Sequence, residues 1–401
     1  MSIRGTAVAL AAALALAPLG AAAQKHDDPG VSDSEIKIGH TLPLSGPAAA
    51  TGVVGLAEAA YFAKVNAEGG VNGRKIDLIG IDDGYVPARS VEGTRRLVEE
   101  DGVFLIFATQ GTPPNFAIRT YLAAHHVPQL FIGSGSSRFD DPKHFPWTIP
   151  GIPSYVAEAR IYAHYILANR PNARIAVLYQ NDDYGRDYLT GLKEGLGAKA
   201  DTMIVARASY EISDPTVASQ IITLQASGAD TLVAGATPVA AAQAIRKTAD
   251  IGWHPLFFMS YISNSVRATL APAGLDRAKG LVSAFYVKDA TDPQWANDKG
   301  VRDYTAWMKQ YYPRGDIADP QNASGYTLAQ LMAEVLKRCG NDLTRANVVA
   351  QATHITDLSL PMLFPGITLT LTPDDYSMYH RLQLEQFDGK RWVPLGSPVG
   401  G

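Results

Sequence analysis

Residues 104–139 read FLIFATQGTPPNFAIRTYLAAHHVPQLFIGSGSSRF, and this stretch decides the fold. Its pattern predicts one parallel βαβ unit, with a strand, a helix and a second strand at residues 104–108, 113–124 and 128–132. Thr112 suits the helix N-cap and Pro113 suits the first helical position. Both turns of such a unit lie at the same edge of a sheet.

The two turns of this unit carry small and hydroxyl-bearing residues. They are Thr109, Gln110, Gly111 and Thr112 after the first strand, and Ser134, Ser136 and Ser137 after the second. Ligands of open α/β sheets bind at the carboxyl ends of the strands, where helix N-termini and backbone amides converge. An anion would have to use Gly111, Thr112 and the hydroxyl groups, because the two following prolines supply no amide. The alternative is an ordinary capped turn.

The rest of the chain alternates strands and helices, which is typical of a parallel sheet covered on both faces. Four prolines between Asp141 and Tyr155 interrupt this alternation and predict a crossing between two lobes. Two further crossings are expected near residues 283 and 378. The expected lobes are residues 34–150 with 284–377 and residues 151–283 with 378–398.

Composition indicates an exported globular protein. The chain has 401 residues, 46% hydrophobic and 18% charged, and a formal net charge of −4, which argues against a nucleic-acid partner. Arg4, the apolar run 7–19 and the alanines at 21–23 predict a signal peptide cleaved near Ala23, and hence a periplasmic location. Cys339 is the only cysteine, so an intramolecular disulfide is excluded.

Catalytic and metal-binding motifs are missing from the sequence. It contains no GxSxG, HExxH, P-loop or GxGxxG pattern. His125 and His126 are adjacent and would diverge on a helix, so they cannot share a metal. The carboxylate pairs at 82–83 and 182–183 follow strands and suit helix caps or loop anchors. We therefore expect no enzyme activity, no metal and no cofactor.

Five segments, in order along the chain, carry a family likeness. They are EIKIGHTLPLSGP (35–47), NAEGGVNGRKIDL (66–78), IDDGYVP (81–87), ARIAVLYQNDDYGRDYLTGLKEGL (173–196) and GADTLVAGATPVAAAQAIRKTADIG (228–252). Together they resemble the periplasmic solute-binding proteins of branched-chain amino acid ABC importers. The resemblance implies an α/β, type I periplasmic binding protein fold, in which two Rossmann-like lobes with parallel sheets are joined by a three-crossing hinge.

The resemblance also implies a binding site. The positions that match the family's ligand-contacting residues are Thr51, Gly111, Thr112, Gly133, Ser134, Ser136, Tyr184, Thr237 and Tyr261. The acidic residue that holds an ammonium group in the family should follow residues 256–259, but residues 260–264 read SYISN. Small residues at 48–51 and at Ala236 replace bulky ones, which predicts a wider pocket without a partner for a cation.

These features predict capture of a small carboxylate without an α-amino group, such as an aromatic or longer aliphatic acid, and its delivery to an inner-membrane ABC permease. Hinge closure is the expected mechanism, and the protein is expected to be a monomer. The alternatives are a true branched-chain amino acid binding protein and a sensor that presents its closed form to a separate receptor. An exported hydrolase would lack a nucleophile.

Overall fold

The computed structural model describes residues 26–401, so the predicted signal peptide at residues 1–23 lies outside the described residues. The chain forms two α/β lobes, each built on its own sheet. Across the described range, no helix has both the length and the apolar character needed to cross a membrane.

The first lobe contains a sheet of five parallel strands. In spatial order the strands are Lys75–Asp82, Glu35–Leu42, Leu105–Phe107, Gln129–Ile132 and Thr148–Pro150. The helices of this lobe are Val53–Ala67, Pro87–Glu99, Thr112–Ala124, Lys299–Tyr311, Pro320–Cys339 and Arg345–Ala352. Two inner strands, Leu105–Phe107 and Gln129–Ile132, are buried at every residue, as expected for strands covered on both faces.

The second lobe has a larger, mixed sheet. Its strands are, in spatial order, Trp392–Pro394, Arg381–Phe387, Val282–Phe285, Leu256–Met259, Thr231–Gly235, Ile175–Gln180 and Ile204–Tyr210, and Val399–Gly400 pairs with the second of these. Its helices are Tyr155–Asn169, Asp183–Leu196, Ala200–Met203, Ala218–Ala226, Pro238–Asp250, Ala271–Ala273 and Leu275–Ala278. The strands contributed after residue 380 run antiparallel to their neighbours.

Two short pairs of strands complete the described fold. His26–Asp27 pairs with Asp342–Leu343, and Ile355–Leu358 pairs with Leu369–Leu371. The chain passes between the lobes at residues 151–154, 286–298 and 372–380, which gives the three predicted crossings. The exact lobe boundaries stay a prediction.

The central βαβ unit is present, but its helix begins differently from the prediction. Gly111, with a φ of 98°, is the N-cap residue, and Thr112 is already helical. The predicted Thr112 cap was wrong because a capping side chain bonds the amide of the second or third following residue. Pro114 has no amide hydrogen, and the Asn115 amide donates to the Gly111 carbonyl at 3.2 Å.

Candidate functional site

A small cavity lies between the lobes, at the carboxyl ends of strands from both sheets. Residues predicted for binding line it from the two sides: Thr51, Gly111, Thr112 and Gly133 from the first lobe, and Tyr184, Thr237 and Tyr261 from the second. The cavity volume is only about 30 Å³, enough for one or two water molecules. A larger solute can therefore enter only if the lobes or their side chains move apart.

The turns of the central unit form part of the first-lobe wall, but some of their amide and hydroxyl groups already bond to other groups of the protein. The Gly111 amide, expected to be available to an anion, donates to the Gly133 carbonyl at 3.0 Å. The Thr112 hydroxyl lies 2.7 Å from the Ser134 hydroxyl. The Thr112 amide, at the first helical position, has no acceptor within its own helix. Thr112 is thus the residue of this turn whose amide can still serve a ligand.

Ser134 and Ser136 do not reach the cavity wall. Ser134 is fully buried, and its hydroxyl contacts Thr112 and accepts the Ser136 amide at 3.3 Å. Ser136 instead faces a separate groove near the first crossing. The physical reason is the tight turn after Ile132, where the Ser134 amide bonds back to the Ile132 carbonyl at 2.9 Å and turns both side chains away.

Tyrosines form most of the second-lobe wall. Tyr184 lies in the first turn of the helix Asp183–Leu196 and packs edge-on against Tyr155, with ring centroids 4.7 Å apart. The Tyr261 hydroxyl donates to the carbonyl of Pro153, in the first crossing, at 2.6 Å. Thr237 caps its helix without a side-chain bond, and its amide donates to the Tyr210 hydroxyl at 2.9 Å.

Three of the wall tyrosines are absent from the sequence-based site. Tyr85, Tyr155 and Tyr286 reach the cavity, as do Gln110, Gln321 and Ser324. The prediction of a wider pocket was wrong, because Tyr85 packs against Gly111 and fills this region. A Cβ atom on Gly111 would lie 2.3 Å from the Tyr85 ring. Tyr85 reaches this position with a φ of 64°. The neighbouring residues in the sequence did not predict this loop conformation.

Among the described residues that line the cavity, none carries a charge. The nearby carboxylates Asp82, Asp83 and Asp182 are not part of the lining and bond to other groups. Asp83 is buried and accepts the Tyr85 amide at 2.8 Å and the Ser90 hydroxyl at 2.7 Å. Asp182 accepts the Gln180 side-chain amide at 2.5 Å. Asp82 accepts amides of its own loop and of residues 44–45. Burial raises the pKa of both Asp83 and Asp182.

Helix N-termini converge on the cavity and differ in how they are capped. Asp182 and Asp319 cap two of these helices with carboxylates. The helices Val53–Ala67 and Thr112–Ala124 begin beside the cavity with no side-chain cap and no acidic residue in the first turn. Their partial positive charge is therefore not offset by a carboxylate of their own.

Direct contacts between the lobes hold the cavity closed on two sides. On one side Asp187 accepts the Ser137 amide and hydroxyl, each at 2.8 Å, and Arg138 pairs with Asp183 at 2.7 Å. On the other side the Ser265 hydroxyl donates to Asp319 at 3.1 Å. These polar contacts exist only while the lobes are together, which is what hinge closure requires.

Comparison with known proteins agrees with this geometry. Residues 35–391 match the family described as periplasmic binding protein. The Leu/Ile/Val-binding protein homolog 2 of Brucella abortus is 22% identical over 323 residues, covering 78% of this chain and 84% of that protein. The name of this relative describes it as a homologue of Leu/Ile/Val-binding proteins.

Solved structures share the fold over nearly the whole chain. A branched chain amino acid ABC transporter protein from Thermus thermophilus, with bound valine, has a TM-score of 0.81 and 17% identity, covering 92% of this chain and 98% of its own. A fatty acid ABC transporter substrate-binding protein from Thermomonospora curvata has a TM-score of 0.79 and 19% identity, covering 94% and 95%. The chain therefore belongs to the periplasmic binding protein family and has its type I fold of two α/β lobes.

Proposed function

We propose that the protein captures a small carboxylate without an α-amino group in the periplasm and delivers it to an inner-membrane ABC permease. The observation that carries this proposal is the uncapped N-terminus of the helix Thr112–Ala124, beside a cavity without charged side chains. A carboxylate can accept from the Thr112 amide and from tyrosine hydroxyls, whereas a buried ammonium group would find no carboxylate.

Binding would proceed by closure of the two lobes on the solute. The first-lobe wall, with Thr51, Gly111, Thr112 and Gly133, would hold the solute in the open state. Tyr184, Thr237 and Tyr261 would add contacts upon closure, together with the contacts between Asp187 and Ser137. The contacts that Tyr184, Thr237 and Tyr261 make to the solute favour the closed form only when a solute is bound, whereas the hydrogen bonds between Asp187 and Ser137 form with or without a solute. We expect the protein to work as a monomer, exported by cleavage near Ala23.

A second candidate is binding of leucine, isoleucine or valine themselves. The name of the Brucella abortus relative favours it, as does the bound valine of the Thermus thermophilus structure. Neutral acceptors such as the Gln110 and Gln321 side chains would then have to satisfy the ammonium group. Thermal unfolding with amino acids and with matching acids tests both candidates, because a solute that binds only the folded state raises Tm.

Replacing Tyr184 by alanine should weaken solute binding by about 1 to 3 kcal/mol, because its ring would cover the solute in the closed state. Calorimetric titration measures this loss, with folding checked by circular dichroism. Tyr165→Ala is the matched control, since this tyrosine lies in the same lobe and packs against Phe258, with its centroid 5.7 Å away, outside the cavity. Equal affinity of Tyr184→Ala and the wild type would place the ring outside the binding site.

A further inference from the structure

A buried carboxyl group, Glu158, lies behind the second-lobe wall of the cavity. Glu158 belongs to the helix Tyr155–Asn169, has no exposed surface and forms no ion pair in the described part of the chain. Its Oε1 accepts the Tyr261 amide at 2.8 Å and contacts the Tyr162 hydroxyl, and its Oε2 contacts the Tyr188 hydroxyl. Glu158 is thus bonded directly to a residue of the cavity wall.

Two further hydrogen bonds extend this cluster to the end of the strand Leu256–Met259. The Tyr162 hydroxyl lies 2.8 Å from the Met259 carbonyl and accepts the Ala284 amide at 3.0 Å. The Tyr188 hydroxyl lies 2.5 Å from the Ser260 hydroxyl. Met259 and Ser260 lead directly into Tyr261, so the cluster fixes the loop that carries this wall residue.

Counting hydrogens in this cluster assigns the protonation state of Glu158. Four contacts join oxygen atoms: Glu158 with Tyr162, Glu158 with Tyr188, Tyr162 with the Met259 carbonyl, and Tyr188 with Ser260. Each contact needs one hydrogen, but the three hydroxyl groups supply only three. The Met259 carbonyl supplies none, so the fourth hydrogen must reside on the Glu158 carboxyl.

We propose that Glu158 is a positioning residue that holds a proton at neutral pH and, through it, fixes Ser260 and Tyr261 at the cavity wall. The effect on solute binding rests on the function proposed above. On ionisation the proton leaves to solvent and one of the four contacts loses its hydrogen. The loop before Tyr261 then loses one of its attachments.

The surroundings of Glu158 agree with this assignment. The titratable groups that face it are all tyrosines: Tyr155 and Tyr162 on its own helix, Tyr184 and Tyr188 on the adjacent helix, and Tyr261. Burial raises the pKa of Glu158 to about 8, against a smaller lowering by its hydrogen bonds. Burial also raises the pKa of each of these tyrosines, so Glu158 is the group of the cluster that titrates near physiological pH.

Infrared spectroscopy tests the proton without any solute. At about pH 6.5 the carbonyl stretch of a protonated carboxylic acid should be weaker in E158Q than in the wild type, because a proton on Glu158 contributes to this band. Other buried carboxyl groups, such as Glu58 and Glu385, whose pKa is also raised by burial, are present in both proteins and cancel in the comparison. E194Q is the control, because Glu194 is exposed and pairs with Arg160. An identical band in E158Q and the wild type would overturn the proposal.

Solute binding tests the positioning role. Wild-type affinity for octanoate or benzoate should fall about tenfold from about pH 6 to about pH 9, as one hydrogen bond of the loop is lost. E158Q cannot ionise and can still accept the Tyr261 amide, so its affinity should change less than about twofold. Parallel pH profiles of E158Q and the wild type would overturn the proposal. Failure of the wild type to bind either acid would count against the proposed solute class alone, because the infrared result needs no solute.

Discussion

Calorimetric titration should give a Kd for octanoate or benzoate about 10⁴-fold lower than the Kd for leucine. The reason is the uncharged lining of the cavity, where Thr112 offers an amide to a carboxylate but no carboxylate faces an ammonium group. A buried and unpaired charge costs several kcal/mol, which outweighs an imperfect fit of the hydrocarbon part. We therefore expect the absence of an α-amino group to decide which solute binds.

The control for this titration keeps the hydrocarbon part constant. Leucine and 4-methylpentanoate differ only in the α-amino group, so their comparison isolates the cost of burying the ammonium group. Micromolar binding of leucine with no binding of the matching acid would contradict the proposed solute class. It would favour the second candidate, a true branched-chain amino acid binding protein.

Gly111→Ala should both destabilise the protein and abolish most solute binding. A φ of 98° is strained for a residue with a Cβ atom and costs about 1 to 3 kcal/mol. The added Cβ would also lie 2.3 Å from the Tyr85 ring, which would have to leave the cavity wall. We expect affinity for the preferred acid to fall at least about tenfold, because the loss of one hydrogen bond or one ring contact lowers affinity by about this factor.

Gly69→Ala separates backbone strain from the displaced ring. Gly69 has a similar φ of 104°, but a Cβ there would meet nothing within 4 Å. Urea unfolding of Gly69→Ala should reveal the strain alone, and calorimetry should give wild-type affinity. If Gly111→Ala binds as tightly as Gly69→Ala, the contact between Gly111 and Tyr85 has no part in the site.

The architecture could be predicted from the sequence, because the spacing of apolar residues and the position of turn residues determine strands, helices and turns locally. The run 104–108 and the prolines around residue 150 predicted the central unit and the first crossing, and both are present. The predicted start of the central helix was wrong. The prediction placed Thr112 at the N-cap without considering that the two prolines after it supply no amide for its side chain to bond. Gly111 begins the helix instead, at a positive φ, and this conformation can be read only from the backbone geometry.

The cavity wall was harder to predict because distant segments build it. Tyr85 comes from a loop at positive φ, Tyr155 from the end of one crossing and Tyr286 from the start of another. None of these positions has a local signature, since their convergence depends on how the two lobes meet. The small residues at 48–51 therefore predicted free volume in the cavity. In the structure, tyrosines from distant segments of the chain occupy this volume.

Closure on a solute is the central claim, and small-angle X-ray scattering tests it most directly. A cavity of about 30 Å³ is too small for an organic acid, so the lobes must open for a solute to enter, and the wall side chains must make room for it when the lobes close. With a saturating amount of the tightest-binding acid, the radius of gyration should be smaller than without it. Equal radii of gyration in the two samples would contradict capture by hinge closure.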